Sequence, residues 1–285
     1  MPAKINMRSF CMITIIILSV FTMCIFIMMG LYILSLNHKN KIHIIFFLLT
    51  SNLAANSIIN AAVHIIPSES SAVFLIKVGS CLVITALSLM IILSIFISDI
   101  FTIYNIRKFQ KLFVSLIIIS QTFLIWNIYG LASIVDLAKI EGIWRITAFP
   151  EPSYLMMENG YIFASAFFYV LIMILWKNKT QSKREKKQAS VLLLSFYIPC
   201  IFAIVYLIII YQILDLVHPI AGDACSSFFL WILGVGYCIY RYRFLSVTPE
   251  YISSELLSNI EESVILMGPD KKIVTMNNSA RELIN

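Results

Sequence analysis

Charged residues are scarce in this sequence. Asp, Glu, Lys and Arg together make up 13% of the 285 residues, whereas hydrophobic residues make up 60%. An ordinary soluble domain has about 25% charged residues, so this composition excludes a soluble enzyme. The net charge of +6 is carried by short clusters between apolar runs. That pattern is typical of a membrane protein and argues against nucleic acid as a partner.

Sequence patterns that carry catalysis are also missing. There is no HExxH motif, no metal-binding Cys/His spacing and no glycine-rich phosphate loop outside the apolar runs. The sequence therefore assigns no catalytic residue, metal or cofactor to this chain, and it leaves open whether the whole protein is an enzyme. The cysteines lie within apolar runs without CxxC spacing, which predicts small buried side chains. They are Cys11, Cys24, Cys81, Cys200, Cys225 and Cys238.

Seven apolar runs are long enough to cross a bilayer, which takes about 20 residues. They cover residues 10–36, 42–66, 72–100, 112–133, 153–176, 189–213 and 219–241. The basic residues before the first run resemble a secretory signal, but that run is too long and has no small-residue cleavage site. We therefore predict an all-α polytopic membrane protein in which residues 1–243 form a seven-transmembrane helix bundle.

Basic residues lie mainly on one side of these predicted spans. The connections after the first, third, fifth and seventh runs hold thirteen Lys and Arg, against four on the opposite side and Lys77 just inside a run. Basic connections face the cytoplasm, so we predict an external N-terminus and a cytoplasmic segment at residues 242–285. The lipid bilayer is the first predicted partner. The largest cluster, KNKTQSKREKKQ at 177–188, is either a topology signal or a patch for anionic lipid.

The outer connections are short, with one exception at residues 136–152. Its Trp144 and Phe149 are expected at the level of the lipid headgroups. No folded extracellular domain fits into these connections. A stimulus must therefore be sensed by the membrane domain itself or by this one loop.

Polar side chains within the spans mark a candidate ligand site. Asn52, Asn56 and Asn60 recur every four residues on one face of the second span. The other candidates are Lys77, Gln121, Asn127, Glu158 and Asp223. We predict a polar bowl open to the outside, in which Lys77 and Glu158 pair or face a polar ligand. The alternative is that the asparagines join neighbouring helices and that the charges reach the interface.

The apolar pattern stops after Arg241 and Arg243. Pro249 predicts the start of a short amphipathic linker helix within residues 244–260. Two β-type runs joined by a turn, and then one more helix, are expected in residues 261–285. These elements are Ser263–Met267, Ile273–Met276 and Ala280–Ile284. Their order is that of the opening of an α/β domain, of which only the first part is present.

These features together resemble a known family. Three features look like the N-terminal sensor region of bacterial histidine kinases. They are the seven spans with an external N-terminus, the basic run KREKKQ leading straight into the sixth span, and the ending YRYRFLSVTPEYISSELLSNIEESVILMGPDKKIVTMNNSARELI. Phe244–Pro249 resembles the exit from the last span in that family, with one residue fewer between Leu245 and Val247. Residues 261–284 resemble the start of a PAS domain, with Asp270 in the turn and Asn277 at the end of the second strand.

The resemblance implies transmembrane signalling in the bacterial cytoplasmic membrane. A stimulus from an extracellular or membrane-soluble ligand would pass through the last span and the signal-relay residues Arg241, Arg243 and Pro249 to a PAS domain and then a kinase. It also implies a homodimer and a response regulator as partners. ATP and Mg²⁺ are expected only for the kinase core, which these residues do not include.

Two other functions remain open. The same front end could precede a diguanylate cyclase or another output domain. The bundle could instead be a small transporter, but the sequence shows no inverted repeat, no pair of Gly/Pro-broken helices and no carboxylate at the middle of a span. Of these hypotheses, the sequence favours a sensor module.

Overall fold

Long helices dominate the structure. A computed structural model describes residues 2–99, 108–131, 136–140, 143–148, 152–180, 182–208, 223–242, 262–267, 273–276 and 278–284. Seven long helices lie within these residues. They are α1 (Pro2–Leu36), α2 (Lys41–Ile65), α3 (Glu69–Ser98), α4 (Lys108–Leu131), α5 (Pro152–Lys179), α6 (Lys183–Ile208) and α7 (Asp223–Tyr242). Each overlaps one predicted span. Helix α1 begins eight residues before the predicted start at residue 10, so its basic N-terminal segment is helical too.

Capping side chains set several helix ends. The Asn40 side chain precedes α2 and accepts a hydrogen bond from the Ile42 backbone N–H at 2.9 Å. Ser182 precedes α6 and accepts from the Glu185 backbone N–H at 3.5 Å, in the Ser-x-x-Glu pattern of a capping box. At the other end of α3, Asp99 takes a left-handed conformation with φ of 44°. Helix α3 therefore stops there, because an L-residue in that conformation cannot continue a right-handed helix.

The chain divides into two compact units, residues 1–244 and 245–285. In the first unit each helix packs against its neighbour in sequence, with the closest pairings between α1 and α2, α2 and α3, and α6 and α7. Helix α3 also packs against α5, and α7 packs against α1 and α2. Helix α3 thus lies inside the bundle. Its buried face runs from Ile84 to Ser98.

Large apolar side chains cover the outside of the bundle. Trp126 is 81% exposed, Phe163 67% and Phe123 63%. Exposure of so much apolar surface to water would be unfavourable, and a soluble monomer rarely exposes more than a few hundred Å² in one patch. Five helices are long and apolar enough to cross a membrane: α1, α2, α3, α4 and α5. In α7 the described apolar part is shorter, Phe228–Tyr242. The chain is therefore a membrane protein by length and composition of its helices.

A β-hairpin lies where the sequence predicted only a loop, between α4 and α5. Strand β1 (Asp136–Ile140) pairs antiparallel with β2 (Ile143–Ala148), and Ile140 lies opposite Ile143. Strand β1 contacts α3 and β2 contacts α2. The expectation of an all-α fold is wrong at this point. Strands form there because two β-type runs are joined by a two-residue connection, which selects a tight hairpin.

The second unit contains a smaller hairpin and a helix. Strand β3 (Ile265–Met267) pairs antiparallel with β4 (Ile273–Met276), with Ile265 opposite Met276. Helix α8 (Asn278–Ile284) follows. These elements lie where β-type runs and a helix were predicted. The expected linker helix in residues 244–260, including Pro249, lies outside the described residues.

Candidate functional site

Polar side chains connect α1 and α2 inside the bundle. Asn60 donates from Nδ2 to the Ser19 hydroxyl at 3.3 Å, and the Thr22 hydroxyl donates to the Ser57 hydroxyl at 3.3 Å. All four side chains are buried. Buried side-chain hydrogen bonds of this kind hold membrane helices together. For Asn60, the structure therefore shows a contact between helices and not surface open to a solvent-filled bowl.

The other two asparagines of the predicted stripe have different surroundings. Asn56 is buried, and a Cβ atom added to Gly79 of α3 would lie 3.4 Å from its Oδ1. Asn52 is half-buried, and its Oδ1 is shielded from solvent without a hydrogen-bond partner among the described residues. A buried acceptor left unpaired costs about 1–3 kcal/mol. Asn52 is therefore the member of the stripe best suited to accept a hydrogen bond from a ligand or a water molecule.

A second set of polar contacts connects α3 to α4 and α5. Gln121 of α4 donates from Nε2 to the Thr85 hydroxyl at 3.0 Å. On α5, the Tyr161 hydroxyl lies 2.5 Å from the Ser88 hydroxyl. Gln121 was predicted as a ligand-binding residue, and the structure places it in this contact between helices. Tyr161 was not predicted, because only amide and charged side chains were considered as polar groups within the spans.

The charged candidates are only partly described. Lys77 is half-buried in α3, within a helix able to span the membrane. Glu158 lies in α5 and Asp223 at the start of α7, but their side chains lie outside the described residues, as does that of Asn127. Pairing between Lys77 and Glu158 therefore stays a prediction. No group of three or more potential metal ligands occurs in the part of the chain that the structure describes.

An apolar cavity lies at the centre of the bundle, toward the ends where the 37–40 and 180–182 connections lie. The cavity is lined by Phe46, Met90, Leu93, Ser94, Ile97, Tyr169, Met173, Leu192, Trp231 and Val235. These residues come from α2, α3, α5, α6 and α7, so five helices meet there. Trp231 donates from Nε1 to the buried Tyr169 hydroxyl at 2.8 Å. The Tyr169 ring also packs on Phe196, with centroids 4.5 Å apart.

Neither Tyr169 nor Trp231 was among the predicted site residues. A signal was available, since tyrosine and tryptophan find a hydrogen-bond partner when they are buried. A buried tyrosine and a buried tryptophan in the same half of the membrane are therefore candidate hydrogen-bond partners. The pair ties α7 to α5 in the middle of the bundle.

Glycines bring α7 close to both of its neighbours. A Cβ atom at Gly234 would lie 2.3 Å from Ser195 Cβ on α6, and one at Gly236 would lie 3.2 Å from Met29 Cε on α1. Small residues allow membrane helices to approach closely and to pack over a long contact. Neither glycine was among the predicted site residues. Helix α7 thus lies close to α6 at Gly234 and close to α1 at Gly236.

The last turn of α7 is bonded to the start of α6. Gln188, which is buried, donates from Nε2 to the Tyr242 carbonyl oxygen at 3.2 Å. The Cys238 thiol lies 3.8 Å from the Gln188 carbonyl oxygen. Arg241 lies in the same turn and is exposed. Two of the predicted relay residues, Arg243 and Pro249, lie outside the described residues.

The cysteines do not share one environment. Cys238 is buried, as predicted, and Cys81 and Cys200 are half-buried. Cys24 is exposed on α1, so the prediction of burial is wrong there. An apolar side chain on the outside of a membrane bundle meets lipid rather than water, which explains why a small hydrophobe is tolerated at that position.

Comparison with protein families, with curated proteins and with solved structures yields no match to this chain. The described residues form no arrangement of nucleophile, base and anion-stabilising donors. What they do form is a helix, α7, that is attached to α5, α6 and α1 by specific contacts along its length.

Proposed function

We propose that this chain is the membrane sensor module of a signal-transduction protein. The observation that carries the proposal is the attachment of α7. Trp231 bonds it to α5, Gly234 and Gly236 pack it against α6 and α1, and Gln188 donates to its Tyr242 carbonyl oxygen. A change of packing anywhere in the bundle would shift the end of α7, where the chain leaves the first unit.

The proposed topology has seven spans, with α6 and α7 added to the five apolar helices. An odd number of spans places the two ends of the bundle on opposite sides of the membrane. The excess of basic residues in the connections after α1, α3, α5 and α7 then favours an external N-terminus and a cytoplasmic second unit. In this topology the β1–β2 hairpin faces the outside, and the basic segment 177–187 faces the cytoplasm.

Signalling would require two packings of the bundle that differ in affinity for the stimulus. A ligand must prefer one packing by about 5.5 kcal/mol to move a population from 1:99 to 99:1. A polar or membrane-soluble ligand could gain part of that free energy from the Asn52 Oδ1, which has no hydrogen-bond partner in the part of the chain that the structure describes. Lys77, which is half-buried in α3, would supply a further donor.

We further propose a histidine kinase as the output, acting on a response regulator within a homodimer. The support is the resemblance of residues 239–284 to the exit helix and PAS start of that family, together with the strand, strand, helix order of the second unit. ATP and Mg²⁺ would be bound by the kinase core and not by the residues described above.

Topology can be tested by labelling single cysteines in a chain whose own cysteines are replaced. A membrane-impermeant maleimide should label Lys139→Cys in intact cells and Lys183→Cys only after the membrane is opened. Labelling of both positions from the same side would refute the seven-span sensor.

Signal relay can be tested with residues 1–285 joined in frame to a PAS–kinase core. We expect Gly236→Ala to change autophosphorylation at least threefold, because a Cβ atom there would lie 3.2 Å from Met29 Cε, so the contact between α7 and α1 must adjust by a few tenths of an ångström. Gly160→Ala is the matched control, since a Cβ atom there has no neighbour within 4 Å. Equal autophosphorylation by both variants at equal protein levels would speak against relay through α7.

A further inference from the structure

Four exposed lysines form one surface at the junction of α5 and α6. This basic surface consists of Lys177 at the end of α5 and of Lys183, Lys186 and Lys187 in the first turns of α6, all of which are exposed. The spacing of 183, 186 and 187 places three of the ammonium groups on one face of the helix. Like charges so close together repel one another, so an anion bound to this face is favoured.

The opposite face of α6 is buried in the bundle. Gln188 is 4% exposed, Ala189 0% and Leu192 2%. The first turns of α6 are therefore amphipathic, with a cationic face outward and a packed face inward. The acidic residue of this segment, Glu185, accepts a hydrogen bond from the Thr180 hydroxyl in the connection. Its carboxylate therefore has a hydrogen-bond partner in the connection, although Glu185 itself lies in the first turn of α6.

The basic surface lies at the end of a membrane span. The apolar part of α5 runs from Gly160 to Lys179, and Trp176, one residue before Lys177, is buried in the bundle. Lysines at the end of such a helix are at the level of the lipid headgroups. Anionic headgroups at that level are the ligands with complementary charge and the correct position.

Gln188 connects this surface to the end of α7. It follows Lys187 directly, and its side chain donates from Nε2 to the Tyr242 carbonyl oxygen at 3.2 Å, while its backbone carbonyl oxygen accepts from the Cys238 thiol at 3.8 Å. We propose that the basic surface binds anionic phospholipid headgroups and that Gln188 transmits this binding to the last turn of α7. The lipid site stands on the exposed lysines alone, whereas the regulatory meaning of the coupling rests on the proposed sensor function.

Coupling of this kind is reciprocal. If headgroup binding favours one position of the α7 end, that position must bind headgroups more tightly by the same factor. The anionic lipid content of the membrane would therefore set the resting balance between the two packings. A stimulus from the outer side would then shift an equilibrium between the two packings that already depends on the anionic lipid of the inner leaflet.

The lipid site can be tested with the full chain in nanodiscs. The probe is spin-labelled phosphatidylglycerol, and its relative association constant is measured against phosphatidylcholine. One lysine near an anionic surface contributes a factor of roughly five, so we expect the Lys183→Gln, Lys186→Gln, Lys187→Gln triple variant to lower the constant at least fivefold. The matched control removes three exposed lysines at other connections, by changing Lys39, Lys41 and Lys111 to Gln.

The control should leave the constant within twofold of the wild type. Equal losses in the two triple variants would overturn the site, because attraction would then follow net charge alone. Free glycerol phosphate at the same concentration should not compete. Competition by it would show a pocket for a small anion and would also overturn a headgroup site. Topology labelling of each variant separates these results from a failure of the seven-span proposal.

The coupling is tested separately with Gln188→Leu, which removes the donor but keeps the volume of the side chain. Amide hydrogen exchange of residues 238–242 is compared in phosphatidylcholine nanodiscs with and without 25% phosphatidylglycerol. We expect the wild type and the control triple variant to slow their exchange at least threefold with the anionic lipid. Gln188→Leu should bind the lipid normally and show no slowing. Slowing equal to that of the wild type would overturn the role of Gln188.

Discussion

The close approach of α6 and α7 makes a quantitative prediction about Gly234. A Cβ atom there would lie 2.3 Å from both Cβ and Oγ of Ser195 and 3.9 Å from its Cα. Carbon atoms pack at about 3.5–4.0 Å, so Gly234→Ala must push the two helices apart by roughly 1.2–1.7 Å. Ser195 Cβ is fixed to the backbone and cannot rotate away. The substitution must therefore displace α6 or α7 as a whole.

The cost of this displacement follows from two opposing effects. Overpacking of a core typically costs about 1–3 kcal/mol, whereas alanine is favoured over glycine in a helix by about 1 kcal/mol. Gly160→Ala makes the same chemical change where a Cβ atom has no neighbour within 4 Å. The difference between the two variants isolates the overpacking, so Gly234→Ala should be less stable than Gly160→Ala by about 1–3 kcal/mol.

Thermal unfolding in detergent, followed by tryptophan fluorescence, measures this difference. One kcal/mol corresponds to about 2–4 °C for a domain of this size, which predicts a gap of roughly 2–12 °C between the two alanine variants. Ser195→Gly removes the atoms that the new methyl group meets and should make Gly234→Ala less costly. The reasoning fails if the two alanine variants unfold together, or if Ser195→Gly leaves the cost of Gly234→Ala unchanged.

Three further predictions concern single contacts. Trp231→Phe and Tyr169→Phe should each lower the free energy of unfolding by about 1 kcal/mol through loss of their shared hydrogen bond, and a double-mutant cycle in detergent should show coupling between them. Asn60→Ala should cost about 0.6 kcal/mol or more through loss of the bond to Ser19, and it should cost measurably less in a Ser19→Ala background. Ser182→Ala should destabilise the start of α6 by about 1 kcal/mol, which faster amide exchange in the first turn of α6 would reveal and unchanged exchange would contradict.

The helices could be predicted from the sequence because their signal is local. Runs of 20 or more apolar residues separated by basic or turn-forming connections specify where each helix lies, since backbone groups in lipid must be bonded within the segment. The β1–β2 hairpin also has a local signal in the sequence. Its strands are separated by the two residues Glu141 and Gly142, a spacing that selects a tight turn.

Contacts between helices could not be predicted in the same way. Asn60 and Gln121 were recognised as polar groups, but nothing local indicated that Ser19 and Thr85 would be their partners. Tyr169 and Trp231 are 62 residues apart in sequence. Whether such groups meet depends on the rotation and depth of two helices, and each of these depends on the packing of the whole bundle.

The sequence by itself determined the membrane character of the protein, the positions of its long helices and the strands after residue 261, because hydrophobic run length and strand alternation are properties of a single segment. Only the tertiary structure decided which polar groups bond neighbouring helices and which, like the Asn52 oxygen, have no hydrogen-bond partner among the described residues. It also decided that Gly234 faces Ser195 and that Gln188 holds the end of α7. The physical reason is that these contacts depend on how whole helices rotate and slide against one another, which no single segment records.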